Sequence, residues 1–342
     1  MKHLTTPMEI GSLRLHNRLV MPPMATAKAD EEGRVIQALV DYYLEKTQGG
    51  CIGLVITEHS YISPEGKASR NQVSIAQDDD IPGLRRIASA IHQNGSKAIA
   101  QINHAGGQAK SEVTGHKSIS ASAVKMPNQK TDSPMLPQEM TQADIRRVVE
   151  QFAKAAARAK AAGFDGVEIH SAHGYLLNQY YSPLTNHRRD DYAGNSLSGR
   201  IRLHLEVIQA VRAQVGQNYP IALRLGACDY MEGGATIQDS VQAAQEFERA
   251  GVALLDISGG FCGYRRPEGA PEQGYFGEIT QAIKETVSIP VILTGGITDV
   301  QAAEELLQNG KADLIGVGRA LMQDSHWAKK ALLGPNWPEL AP

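Results

Sequence analysis

Eight short runs of nearly continuous apolar character recur along the chain, at residues 18–23, 52–57, 97–102, 166–170, 221–225, 253–257, 290–294 and 313–317. Strands buried on both faces read this way. Longer segments of helical period separate them. Residues 141–163 open on Thr141 as an N-cap and stop at Gly163; residues 298–310 open on Thr298 and stop at Gly310. Eight strand–helix alternations predict an α/β fold of the (β/α)8 TIM-barrel type, with an open doubly wound sheet as the alternative. Two segments break the alternation. Residues 8–18 alternate apolar and polar around Gly11-Ser12, which predicts a hairpin plugging the barrel floor. Residues 104–140 are rich in Gly, Ser, Lys, Gln and Pro and follow the third strand, so this long loop is expected over the barrel mouth.

Composition narrows the class. The chain has 342 residues, a length normal for one barrel domain with insertions, and no linker divides it, so residues 1–342 read as a single domain. A net charge of −3 with no long basic run argues against nucleic acid or acidic membranes as partners. No stretch is apolar for long enough to span a membrane, and the first ten residues lack an apolar signal core. The three cysteines, Cys51, Cys228 and Cys262, are scattered, with neither a disulfide framework nor a metal knuckle, which suggests a reducing cytoplasm. A homo-oligomer is left open.

Active-site residues of such barrels sit at the C-terminal ends of strands. Here those ends carry Pro23, Met24 and Ala25, then Glu58 and His59, then Gln101 and His104, then His170, His173 and Tyr175. Arg224, Ser258, the pair Gly295-Gly296, Gly318 and Arg319 follow. Glycines admit a close backbone approach and helix N-termini attract anions, so the seventh and eighth loops predict a phosphate cup for a mononucleotide; the competing reading is plain turns. The segment 316–321 lacks the third glycine of a dinucleotide fingerprint, because Leu321 stands there. Arg224, inside an apolar run, needs an anionic or strongly polar partner, either a carboxylate or an electron-rich ring. Gln101 can donate and accept at a ring edge. His170 and His173 admit three readings: zinc ligands together with Glu168, structural histidines, or paired N–H donors on one substrate oxygen with Tyr175 as general acid.

The chain resembles the old yellow enzyme family of flavin-dependent ene-reductases, in its shorter bacterial form. Asn17-Arg18, MPPM (21–24), GLVITE (53–58), QINHAGGQ (101–108), the run 162–194 around VEIHSAHGY, LTGGIT (293–298) and GVGRALMQD (316–324) carry the resemblance. It implies one FMN-binding domain and NADH or NADPH as electron donor. It also implies an enone-type substrate reduced at its C=C bond by ping-pong hydride transfer, with no resident metal. By the same resemblance, Pro23, Met24, Ala25 and His59 lie beside the flavin ring, Gln101 and Arg224 bond its polar edge, and Gly296, Gly318 and Arg319 hold its phosphate. His170 and His173 would hold the substrate carbonyl and Tyr175 would deliver the proton. One pocket shared by donor and substrate would explain the missing nicotinamide fingerprint. A metal-dependent hydrolase or lyase, and an FMN-binding protein with little turnover, are the competing functions. The chain departs from the family's pattern at Ala25, where many members have cysteine, and at Ala27, where they have tyrosine. Further departures are Ala193 for a glycine and Ser198-Gly199 before Arg200. The absence of a cysteine cluster implies neither an iron–sulfur segment nor a second nucleotide domain, and a C-terminal tail without arginine argues against a site shared across a dimer.

Overall fold

The computed structural model describes residues 1–127 and 136–333. All eight apolar runs are strands: β1 (Leu19–Met21), β2 (Leu54–Ile56), β3 (Lys97–Asn103), β4 (Gly166–Ser171), β5 (Ile221–Gly226), β6 (Leu254–Ser258), β7 (Val291–Leu293) and β8 (Leu314–Gly316). They pair in parallel in chain order, β8 returns to β1, and β2 pairs β3, so the sheet closes into a barrel. The open-sheet alternative is thereby excluded. Helices α1 (Gln37–Thr47), α2 (Ile81–Gln93), α3 (Gln142–Ala161), α4 (Leu197–Val215), α5 (Ile237–Arg249), α6 (Gly277–Lys284), α7 (Val300–Gln308) and α8 (Arg319–Gln323) follow the strands in turn.

Period-two alternation sorts each strand into outward and inward residues. The outward set packs against the helices as the main core. The inward set forms layers. The lowest holds Val20, Leu54, Ile56, Ile99, Ala222, Leu254, Ile292 and Leu314 against Ile10, Leu13 and Leu15. Those last three come from the predicted hairpin, in which Met8–Ile10 pairs antiparallel with Leu13–Leu15 through a two-residue turn, with Gly11 at φ 57°. The plug makes the barrel floor apolar, and so the next layer up can be polar without meeting solvent from below.

Helix punctuation follows capping chemistry. Thr141 caps α3 in a capping box with Asp144, as its sequence predicts. The cap of α7 lies one residue later than predicted. Asp299, not Thr298, accepts from the Ala302 N–H, because Thr298 is held by Gln273 through both its backbone N–H and its hydroxyl. The loop after β3 carries a short helix at Ser111–Thr114 and a two-residue pairing of Ile119–Ser120 with Gln138–Glu139. Residues 128–135 of it, and the tail from Gly334 on which the shared-site argument rests, lie outside the described residues. No helix among the described residues is long and apolar enough to cross a membrane.

Candidate active site

A cavity of about 1060 Å³ opens at the C-terminal end of the barrel. Pro23, Met24, Ala25, His59, Gln101, His170, His173, Tyr175, Arg224, Gly296, Gly318 and Arg319 all line it. The residues assigned from the sequence to flavin, substrate and proton transfer therefore meet in one place. His104 and Glu58, which share those strand ends, are not among the lining residues. The His104 ring accepts from the Gly106 N–H and packs over Gly66, so it braces the third loop.

Below the cavity lies a buried charged layer. Arg224 stands beside His170 on one side and Asp256 on the other in the strand register. Its Nε is 3.4 Å from the Asp256 carboxylate, without hydrogen-bond geometry. Glu168, fully buried, accepts from Gln101 Nε2 at 2.7 Å. Two buried carboxylates thus share one guanidinium. Burial, and then repulsion by Asp256, hold Glu168 well above the usual carboxylate range, with Arg224 pulling back. Burial raises Asp256 to about 6 against the pull of Arg224. Burial thus favours the protonated form of both carboxyls, and the Arg224 charge opposes it in both. One Glu168 oxygen is taken by Gln101, and among the described residues no group of three or more His, Cys, Asp or Glu side chains converges as a metal site.

The rings above this layer form a compact group. His170 lies 5.2 Å from His173 and 5.3 Å from Tyr175 between ring centroids, in both cases edge-on. His59 is 5.4 Å from Tyr175. Burial, with the nearby cationic groups, holds His170 and His173 well below the usual histidine range. Burial and then Arg224 bring His59 down to about 4. All three rings are neutral at pH 7, and each carries one N–H. The Gln72 amide oxygen accepts from the Ala68 N–H, so its nitrogen donates to His59 Nδ1 at 2.7 Å. His59 Nε2 therefore holds the proton. His170 Nδ1 is buried without a partner, which leaves Nε2 as the nitrogen open to the cavity. His173, at φ 59°, bonds Ser258 Oγ through Nε2 at 2.7 Å. Burial pushes the Tyr175 hydroxyl up to about 12, so it stays protonated.

Glycine is required in the seventh loop. Gly295 and Gly296 have φ of 117° and 72°, and a Cβ on Gly296 would lie 2.3 Å from the Glu272 carbonyl oxygen. Gly318 opens α8, with Arg319 behind it. The departures in the 193–200 loop are accommodated. Ala193 keeps negative φ, whereas a Cβ at Gly194 would lie 1.7 Å from Asn186 O and one at Gly199 2.3 Å from Ala193 O. Arg200 then pairs with Asp239 at 2.5 Å. Ala27, two residues beyond the cavity-lining Ala25, adopts φ 54°, a strained conformation for a non-glycine residue.

The first loop is held from below by Glu58, which accepts from the Thr26 hydroxyl at 2.6 Å and from its N–H at 3.3 Å. Burial raises the Glu58 carboxyl to about 7, against those hydrogen bonds. The folded state then binds more protons than the unfolded chain. This contribution to stability is full below the unfolded value and is lost as pH rises through about 7. Glu58→Gln does not titrate. Its stability relative to the wild type is expected to rise on the order of 3 kcal/mol from pH 4 to pH 8, in denaturant unfolding. A pH-independent difference would contradict the assignment.

Residues 3–335 match the NADH:flavin oxidoreductase / NADH oxidase family. The chain belongs to this family. An NADH oxidase of Thermoanaerobacter brockii is 40% identical over 330 residues, covering 95% of this chain and 50% of that protein. An NADPH dehydrogenase of Bacillus licheniformis is 39% identical, covering 96% of this chain and 94% of its own length. The solved old yellow enzyme homologue from Zymomonas mobilis superposes with a TM-score of 0.84 at 26% identity, covering 98% of this chain and 94% of that one. The chain spans about half the length of the first curated relatives it matches. These likenesses place it in the old yellow enzyme family of FMN proteins. Sequence reasoning missed Ser258 as the partner of His173, Gln72 as the partner of His59, and the lining residues Tyr230, Tyr264 and Tyr275.

Proposed function

We propose that the chain is an FMN-dependent NAD(P)H oxidoreductase that reduces the activated C=C bond of α,β-unsaturated carbonyl compounds. The observation that carries this reading is the convergence of two neutral histidines and a protonated tyrosine over an arginine-bearing polar layer. The residues present fit FMN. Arg224 Nε is a buried donor without a hydrogen-bond partner, suited to the electron-rich edge of a flavin. The glycines of the seventh and eighth loops make room for a phosphate at a helix start, beside Arg319. When bound, FMN accepts a hydride from NAD(P)H and returns it to an electron-poor carbon.

The rest is the work of the chain. His170 presents Nε2 to the cavity. If Ser258 donates to His173 Nε2, then His173 presents its Nδ1–H. Two N–H donors on one carbonyl oxygen stabilise the enolate charge that develops when the β-carbon accepts hydride. They can do so because burial keeps them neutral and fixes their direction. Tyr175 protonates the α-carbon. Glu168 takes Gln101 Nε2, so the Gln101 carbonyl oxygen would be the group left to accept from the flavin edge. Donor and acceptor use the same cavity in turn, which makes the kinetics ping-pong. We read residues 1–342 as one FMN-binding domain. We place the protein in the cytoplasm because Cys51, Cys228 and Cys262 are all free.

The test is product analysis. With NADPH and a cyclic enone, the saturated ketone should form, one per NADPH consumed. An allylic alcohol, or turnover abolished by a chelator, would contradict the reading. Tyr175→Phe is expected to slow a weakly activated enone about 10²–10⁴-fold. A nitroalkene, whose anion can leave and be protonated by water, should be affected less. Equal stopped-flow rates with the weak acceptor would remove Tyr175 from the mechanism.

A further inference from the structure

We propose that Arg265 and Arg266 form an anion-binding rim that takes the phosphorylated adenosine end of the molecule whose reactive end enters the cavity. The proposal rests on the functional reading above and extends it from the reacting atoms to the distal end of the ligand.

After β6 the chain crosses the cavity mouth. Phe261 is buried at its start. Tyr264 then rises over the His pair, 71% exposed, with its ring edge-on to His173 at 6.4 Å. Arg265 and Arg266 follow, both exposed and both lining the cavity. Arg265 has no hydrogen bond or ion pair among the described residues. Arg266 donates through Nε to the Ala270 carbonyl oxygen at 2.6 Å, and its Nη1 is 3.8 Å from the largely exposed Glu272 carboxylate. Tyr230 and Met231, from the loop after β5, expose apolar surface on the same cavity, at 38% and 37%.

The rim therefore offers planar apolar surface beside two cations. That combination suits a base carrying phosphates. Arginine stacks on flat rings and bonds phosphate through its fork. The protein's net charge of −3 provides no general attraction for anions, so a local pair has to supply it. A ligand with its carbonyl or nicotinamide at the His pair must leave the cavity past Tyr264, and the arginines are the next residues along that wall. Glu268, also on the lining, confines the phosphates to the arginine side. Two sources share this chemistry: the 2′-phosphoadenosine end of NADPH, and the 3′-phosphoadenosine end of an unsaturated coenzyme A thioester.

The test is isothermal titration of the FMN-loaded protein with adenosine, adenosine 2′,5′-bisphosphate and adenosine 3′,5′-bisphosphate. At least one bisphosphate should bind roughly tenfold more tightly than adenosine. Added salt should shrink the advantage, and Arg265→Ala/Arg266→Ala should abolish it. Preference for the 2′,5′ isomer assigns the rim to the electron donor, preference for the 3′,5′ isomer to a thioester substrate, and equal gain to both. Equal affinity for adenosine and both bisphosphates overturns the proposal. So does a double variant that releases FMN, since the arginines would then belong with Gly296, Gly318 and Arg319. A protein that forms saturated ketone yet shows no bisphosphate preference refutes this inference alone. A protein that forms no ketone refutes the functional reading.

Discussion

Replacing His170 and His173 together with alanine is expected to leave FMN bound and its reduction by NAD(P)H largely intact, while enone reduction slows by orders of magnitude. The two rings stand edge-on, 5.2 Å apart, on a strand end and the tight turn after it. They stand at and just after β4, whereas the glycine cup follows β7 and β8, so their loss should not release the cofactor. Losing one donor to a developing oxyanion costs roughly 3 kcal/mol in other enzymes. Two donors acting on one oxygen need not add, so the loss of a single donor, about 10²-fold, is the floor. Because both rings are neutral through the physiological range, the wild-type rate should show no histidine ionisation near pH 6–7. The check is a stopped-flow comparison of the two half-reactions. A variant that reduces enones normally, or that loses a bound metal, would contradict the clamp.

Arg224→Ala carries the second large effect. Arg224 is buried beside Asp256 and Glu168, and its charge holds both carboxyls down against the effect of burial. Without it, both carboxyls are pushed further toward their protonated forms, and the flavin edge loses a charge-assisted donor. A hydrogen bond to a charged group contributes about 1.5–3 kcal/mol. FMN affinity is expected to fall about tenfold to a hundredfold, and the potential of the flavin that remains bound is expected to drop by about 30 mV for each 1.4 kcal/mol lost. Arg224→Lys keeps the charge but not the fork, and should recover part of the potential. Unchanged FMN content together with an unchanged potential would remove Arg224 from the cofactor site.

The barrel was legible because its strands are buried on both faces, which leaves runs with no exposed residues to interrupt them. The hairpin plug was legible from strict alternation around Gly11-Ser12. Within those runs the polar interruptions mark the functional layer: Gln101, Glu168, His170 and Arg224 all fall on inward positions. Asp256 belongs to the same layer, but a single acid within 253–257 gives no sign of which residue it will face, because that depends on the register of β5 against β6. Ser258 and His173 are 85 positions apart, and no local pattern encodes their bond. Gln72 on His59 is a similar case, set by the fold of the loop after β2. The mouth residues Tyr230, Met231 and Tyr264 lie in loops, where neither period applies. Thr298 gave a sound capping signal, yet Gln273 took its hydroxyl and moved the cap to Asp299.

Anaerobic spectroscopy of the FMN-loaded protein tests the central claim most directly. One equivalent of NADPH should bleach the flavin absorbance, and a cyclic enone added afterwards should restore it within a single turnover, with the saturated ketone as product. Flavin absorbance that NADPH does not bleach, or bleached protein that only oxygen and no enone reoxidises, would contradict the account.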